Sequence, residues 1–427
     1  MGATFTIAAR YQVEATCQSP IRTGGTGLTS SQLLTDTQGH PYFQGASLSG
    51  ALREYHRRTY GAAMNDALFG SLRSMGHLVI SDGTFAGSPA WETRPRLRIN
   101  GKTGTASDGG KFDVAHLPVG TTLLFSITWM GTEEDEAELS QIEQMLAALH
   151  QGIIRLGAQK ANGFGQVRLE VRKQIYHMFE AKDRTAWLKE QDLAVPITLP
   201  PVAQPGVITL VLQGFADRVL VKSGTVERRN QNNQRRDQKN VTVPIQEQGV
   251  PILPGSSVKG AIRSRVSQIA AILGQTGVAE QLFGRGSAGE DNGVAGAVIV
   301  DDVRLSNRKQ EISRIRINRF TGGVVRKGLF TEEPVCSPVT LKLTVPERLE
   351  PLCSYLVYAL RDLGLGLYNL GSGGSIGRGY LKVENVVVTM PDGRKGMLCF
   401  DEKRACTVED PEGVIQALCS IREEGNG

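Results

Sequence analysis

Net charge is scarce in this chain. Forty-eight Lys and Arg stand against 43 Asp and Glu, a balance of +5 over 427 residues. Bulk charge therefore makes no case for a nucleic-acid partner, and the placement of arginine has to carry it. The six cysteines form no CxxC pair, which argues against a zinc ribbon or a dithiol redox centre and suggests reduced thiols. No stretch is long and apolar enough for a membrane helix. The first ten residues lack the basic and apolar regions of a signal peptide, so the expectation is a soluble, cytoplasmic protein. There is no P-loop GK[ST]. All six histidines (His40, His56, His77, His116, His150 and His177) fall in the first half, so a histidine-based nuclease centre in the second half is excluded. Glycine is plentiful, at 50 residues, and it gathers in loops.

Length suggests two or more domains, and 40% apolar with 21% charged residues is ordinary globular composition. The organisation is a duplication. Gly45, Ser47, Gly50 and Arg53 return as Gly255, Ser257, Gly260 and Arg263, an offset of 210. The run Arg96, Arg98, Ile99, Asn100 returns as Arg314, Arg316, Ile317, Asn318, an offset of 218. The glycine-rich run 156–170 returns at 370–384, an offset of 214. Three ordered matches at nearly one offset indicate a tandem pair of one fold, with a period too long for a solenoid.

Each half reads strand, helix, two strands, helix, strand. In the first, residues 4–14 alternate as a strand, a helix spans about 48–60, and Leu139, Ile142, Leu146, Leu149 and Ile153 mark a second helix by their 3-4 spacing. Residues 166–171 form a closing strand. In the second, 207–213 is a strand and Val258, Ile262, Val266, Ile269 and Leu273 mark a helix stopped by Gly274. Residues 352–363 are a helix and 380–389 the last strand. This order is the ferredoxin-like (RRM-like) α+β pattern, with β-hairpin insertions in the long middle segments. The expected divisions are a first domain at 1–185, a linker at 186–206, a second domain at 207–390 and an extension at 391–427. The segment 194–206 holds four prolines and no charge, the composition of a stiff extended spacer.

The repeated elements suit a phosphodiester backbone. Gly255, Ser256 and Ser257 open a helix, where free amides, hydroxyls and the positive helix end can seat a phosphate. Lys259 and Arg263 are spaced i, i+4, so they share a face away from the apolar stripe. In the first copy Ser47 and Arg53 recur, but Ser49 stands where Lys259 does. Ordinary N-capping is the structural alternative. Arg94, Arg96 and Arg98 alternate, as do Arg314 and Arg316, which puts each set on one face of a strand. A Thr-Gly turn follows each stripe, and basic hairpins contact nucleic-acid backbones; a polar sheet face in water is the alternative. The glycine loops, with Lys160 in one and Gly373, Gly374 and Arg378 in the other, follow a helix and precede a strand. That order disfavours a dinucleotide fingerprint, and the glycines would let a ligand backbone approach. Asp82 and Asp302 recur after apolar strands and read as turn formers.

The element Pro41, Gly45, Ser47, Gly50, Arg53, its copy Pro251, Gly255, Ser257, Gly260, Arg263, and the Gly377-Arg378-Gly379 loop resemble the RAMP superfamily of CRISPR effector proteins. The resemblance covers most of the chain. Two such domains in one polypeptide are similar to the double backbone subunit of fused, III-D-like type III complexes. The resemblance implies binding along a guide CRISPR RNA, pairing of that guide with a complementary target RNA, and assembly with other RAMP subunits and the large polymerase–cyclase subunit. It places a thumb-like hairpin near 96–104 and 314–322. Base pairing supplies sequence specificity in such guided complexes.

The family often cuts target RNA with an aspartate between the first strand and the glycine-serine helix, aided by a divalent metal. In the second half that interval, 223–250, contains one aspartate, Asp237. The resemblance makes Asp237 the expected catalytic residue and a ligand for a metal, expected to be Mg²⁺, with Arg235 and Arg236 beside the phosphate. A solvated charge in a polar loop is the alternative. In the first half Thr29 or Ser30 occupies the corresponding place, and Asp36 is the runner-up acid. The expected activity is a metal-dependent endoribonuclease acting in the second domain only. A non-catalytic guide-binding subunit and a guide-processing endoribonuclease, the latter resting on His40 and His56, are the alternatives; a two-domain small-ligand or carbohydrate binder is the remaining one.

Overall fold

A computed structural model describes residues 5–24, 29, 31–100, 103, 105–202, 206–229, 238–286, 293–306 and 309–419. The chain divides near residue 204 into two compact units.

In the first unit β1 (Ile7–Cys17) is the centre of the sheet. The helix α1 (Gly45–Tyr60) follows, then the short strand β2 (Leu78–Ile80). A hairpin comes next, β3 (Glu92–Ile99) with β4 (Ala106–His116), and then β5 (Thr122–Gly131), α2 (Ala137–His150) and β6 (Val167–His177). β1 pairs antiparallel with β5 on one side (Ile7 opposite Gly131) and with β6 on the other (Ile7 opposite His177), while β2 pairs with β5. The sheet order β6-β1-β5-β2 is the ferredoxin-like 4-1-3-2 arrangement of a βαββαβ unit.

Helix α1 forms because Leu48, Leu52 and His56 recur at i+4 and are all buried. Leu139, Ile142, Met145, Leu146 and Leu149 do the same for α2. Both stripes join Tyr11, Val13, Ile127 and Trp129 in one core.

The second unit repeats the plan. β7 (Val207–Val219) is central; a hairpin β8 (Lys222–Arg229) and β9 (Gln238–Pro244) precedes α3 (Gly255–Ile272). β10 (Ile299–Val300), the hairpin β11 (Ile312–Ile317) with β12 (Val324–Glu332), β13 (Val335–Pro346), α4 (Cys353–Gly364) and β14 (Leu381–Thr389) complete it. The order β14-β7-β13-β10 is again 4-1-3-2. Both units are mixed α+β, ferredoxin-like, with a hairpin inserted before the third strand of the motif.

Three segments depart from the sequence-based reading. The extension beyond residue 390 lengthens the second sheet: β15 (Lys395–Phe400) pairs with β14, and β16 (Cys406–Glu409) with β15. Val414, Ile415 and Leu418 join the second core. The extension thus covers a sheet edge. The proline-rich segment is not a free spacer. Val195–Pro196 pairs with β6, Ile197 donates its amide to Val171, and Ile197, Leu199 and Val202 pack on the first core. Proline is tolerated there because the strand is at an edge. The interval after β7 is not a bare polar loop either. β8 and β9 form a hairpin, and β9 pairs in parallel with β12 at Val241–Thr331 and Thr242–Glu332. The four strands β8-β9-β12-β11 make one sheet.

Candidate nucleic-acid interface

The glycine-serine helices are set by the same device in both units. A Cβ on Gly45 would lie 2.7 Å from the Ile80 carbonyl, and one on Gly255 would strike the Val300 carbonyl. Only glycine lets the helix start so close to the end of the neighbouring strand. Asp82 accepts the Gly45 amide at 2.7 Å, and Asp302 accepts the Gly255 amide at 2.6 Å. These aspartates are helix-anchoring acceptors rather than the turn formers their position suggests. Ser47 and Ser257 amides are taken by Gln44 and Pro254 carbonyls at 2.9 Å. The anion seat is therefore narrower than a bare helix end, and neither N-cap uses a side chain.

The second glycine of each motif has no such role. Gly50 and Gly260 lie inside helices, are exposed, and have nothing within 4 Å of a built Cβ. Glycine inside a helix is destabilising by about 0.5–1 kcal/mol relative to alanine, and no packing among the described residues explains it here. Ser47, exposed, and Arg53, half-buried, flank Gly50; Ser256, Ser257 and Arg263, all partly exposed, flank Gly260. Arg53 also donates to Asp66 at 3.3 Å and to the Gly70 carbonyl at 2.8 Å. Lys259 departs from its expected solvent face. It is buried, its ammonium donates to the Val298 carbonyl at 2.9 Å, and burial, then Arg263, pushes its pKa down to about 8. The i, i+4 spacing was blind to the chain segment that covers it.

The glycine loops share a backbone path. Positive φ occurs at Gly157, Gln159, Gly163 and Gly165, and at Gly371, Gly373, Gly377 and Gly379, always 214 residues apart. Gln159 keeps the left-handed conformation without glycine's freedom, which the loop's geometry imposes. The Leu156 amide donates to Gly165 and the Leu370 amide to Gly379. Each loop is pinned to the chain just after its central strand: Ala158 donates to the Arg22 carbonyl and Ser372 to that of Leu220. The glycines Gly157, Gly165, Gly371 and Gly379 all meet backbone where a Cβ would be, so internal packing accounts for them. Gly377 faces open space, Gly373 and Gly374 meet only side chains, and Lys160 is exposed.

The inserted hairpins are also duplicated in register. Arg96 stands opposite Phe112, and Arg314 opposite Phe330. Arg98 and Arg316 are exposed. So are Leu97, Ile99, Ile315, Ile317 and Phe320, an unusual apolar content for strands outside a core. The hairpin bases differ. In the first unit the Arg94 and Arg96 guanidiniums lie 5.0 and 5.6 Å from the Phe164 ring centroid. Arg96 also donates to Gln159 at 2.8 Å, and Arg22 donates to the Ala115 carbonyl at 2.8 Å. His116 sits among these cations. Burial first, then Arg94, Arg96 and Arg22, push its pKa down to about 4, against a raising hydrogen bond to Val114. In the second unit a carboxylate does this work. Glu332 accepts from Lys222 and Arg314, each at 3.2 Å, and from Arg378. Burial alone would raise its pKa; hydrogen bonds from Lys222 and Arg378 hold it below the usual range. Arg378, expected to face RNA, is instead buried in this ion pair.

Asp237, Arg235, Arg236 and Ser30 lie outside the described residues. Asp36 is engaged in its own turn, accepting the Gln38 and His40 amides at 2.8 and 2.9 Å, and lies 3.5 Å from the His40 ring. His56 is buried, 2.8 Å from Gln141 and against Tyr60 and Phe69, a poor place for acid–base work on RNA. Among the described residues, one group able to hold a metal comprises His77, Asp135 and Glu138. Each already has a partner: His77 and Trp129 meet Glu138 at 2.8 and 2.7 Å, and Asp135 caps Thr132. The missed residues are Phe164, Gln159, Arg22, Lys222 and Glu332; an acidic pair, Glu332-Glu333, interrupting an extended segment was the available signal.

Two regions, residues 14–168 and 217–382, match the model of the RAMP superfamily. The chain belongs to the RAMP superfamily. Both matches carry the glycine-serine helix and the inserted hairpin, and membership makes the chain a CRISPR-associated RNA-binding protein in general terms. No curated protein matches it. Among the described residues no helix of this RAMP protein is long and apolar enough to cross a membrane.

Proposed function

We propose that this RAMP protein is the double backbone subunit of a type III, III-D-like CRISPR ribonucleoprotein. It holds guide RNA along its sugar–phosphate backbone and cuts complementary target RNA once, in the second unit. The observation that supports this most is the pair Gly50 and Gly260. Each leaves a bare patch on an exposed helix beside serine hydroxyls and an arginine, the surface a phosphodiester backbone needs for close approach. The exposed Arg98 and Arg316, with Leu97, Ile99, Ile315 and Ile317, suit a hairpin that meets both phosphates and base faces. Its partners are the guide, the target, other RAMP subunits and the polymerase–cyclase subunit.

Asp237 is the cutting residue in this reading, orienting the 2′-hydroxyl that attacks the adjacent phosphate; the P–O5′ bond breaks, leaving a 2′,3′-cyclic phosphate and a protonated 5′-hydroxyl on the next nucleotide. Mg²⁺ is the ion such a carboxylate would take, supplying charge neutralisation at that phosphate. The assembled complex carrying Asp237→Ala should lose one cut in the target and keep guide binding. Unchanged cleavage at every site would overturn the catalytic claim and leave a structural guide-binding subunit. That second reading is favoured for the first unit, where Asp36 is committed to its own turn. Chelation with EDTA checks the metal: cutting should stop and return with added Mg²⁺.

A further inference from the structure

We propose that Glu332 is a positioning residue that sets the strands β8 and β9, between which Asp237 falls in the sequence, against the arginine hairpin and the glycine loop. The inference rests on Asp237 being the cutting residue. Glu332 is 3% exposed and gathers one cation from each of three elements. Lys222 comes from the foot of β8, Arg314 from β11 and Arg378 from the glycine loop. The backbone adds to this clasp, since Thr242 of β9 pairs with Glu332 and accepts the Glu333 amide at 2.9 Å.

A single desolvated carboxylate facing three cations is weak evidence for stability, because desolvation offsets much of the attraction. Its distinctive consequence is geometric: one carboxylate ties the foot of β8, β11 and the glycine loop to the same point. The first unit supports this by contrast. At the offsets of the repeat, Val114 stands where Glu332 does and Phe164 where Arg378 does. Between β1 and α1 that unit has, among the described residues, a short turn closed by the single antiparallel bridge Thr35–Pro41 where the second unit has the longer strands β8 and β9. The carboxylate clasp and the long β8–β9 pairing thus occur together in the second unit, and Val114 and a short turn stand at those places in the first.

The test compares variants in the assembled complex, reading guide binding and target cleavage separately. Glu332→Gln should keep guide binding and slow the Asp237-dependent cut by about tenfold or more, the scale expected of a misplaced catalytic group. Glu332→Val combined with Arg378→Phe puts the first unit's residues at these two positions. It removes the buried carboxylate together with one of its cations and should keep guide binding while cleavage stays slow. Normal cleavage in Glu332→Gln, or its return in the double variant, would overturn the proposal. Asp237→Ala is run in parallel. If it leaves cleavage intact, the underlying reading fails, and hydrogen exchange then decides the clasp alone. Faster exchange of the 222–229 and 238–244 amides in Glu332→Gln would support it, and unchanged exchange would overturn it.

Discussion

Phe164 and Arg378 occupy the same place in the two glycine loops, 214 residues apart, and each holds the hairpin base of its own unit by a different force. Phe164 receives two guanidiniums on its ring; Arg378 shares a carboxylate with Arg314. The partner position changes with it, Val114 in one unit and Glu332 in the other. Replacing Phe164 therefore removes both a buried ring and the seat of two cations. Phe164→Ala should destabilise the first unit by about 3–5 kcal/mol. All three tryptophans, Trp91, Trp129 and Trp187, lie in that unit, so denaturant unfolding followed by tryptophan fluorescence reports it separately. The loss should be the same at low and high salt, because the contact is buried and short-ranged. A loss that disappears in high salt would contradict the ring's role.

His116 gives the first unit a calculable response to acid. Its folded pKa is depressed to about 4, against about 6.5 in an unfolded chain. Between these values the unfolded state binds the extra proton. Stability is thus fully present above pH ~6.5 and falls as pH drops toward ~4, by about 3 kcal/mol in all. His116→Gln cannot ionise and should flatten that part of the stability–pH curve, again by tryptophan fluorescence. An unchanged slope would assign the acid sensitivity elsewhere.

Much of this fold was legible because its periodicities are local. The 3-4 stripes of α1, α2, α3 and α4 and the alternation of β1 and β7 each lie within one element. What was not legible depends on distant partners. The interval 223–250 read as a loop because Glu227 to Asn240 is almost wholly polar; Val241 and Val243 are buried in β9, which pairs with Thr331 and Glu332, some way along the chain. Lys259 reads as a surface cation because spacing describes the helix alone, not the segment near Val298 that closes over it. The proline-rich segment carried a visible signal, the apolar Ile197, Leu199 and Val202, but its composition outweighed it. Asp82 and Asp302 were visible as a recurring pair, yet their work on the helix amides needs the strand end and the helix start brought together.

The glycines of the two helices separate packing from ligand approach. Gly45→Ala and Gly255→Ala drive a methyl into a strand carbonyl and should destabilise their units by about 1–3 kcal/mol. Gly50→Ala and Gly260→Ala meet nothing within 4 Å and should stabilise them by about 0.5–1 kcal/mol through helix propensity. The same two substitutions should weaken guide RNA binding, roughly tenfold or more for each, or about 1.4 kcal/mol. Thermal melts and RNA titrations of the four single variants check this. Stabilised variants with undiminished RNA affinity would move the RNA path away from these helices.

The exposed arginines of the hairpins can be counted by salt. With a net charge of only +5, the chain has no general excess of cations to attract RNA, so each phosphate contact must come from a placed side chain. Contacts with single-stranded RNA release counterions, and affinity falls with salt at a slope of about −0.7 per phosphate neutralised. Arg98→Ala and Arg316→Ala should each weaken binding uniformly across RNA sequences and reduce the slope by about 0.7. Arg378→Ala should leave the slope unchanged, because that guanidinium is buried against Glu332 rather than presented to solvent. A slope that falls with Arg378→Ala and not with Arg98→Ala or Arg316→Ala would put the guide on the glycine loop and free the hairpins from backbone contact.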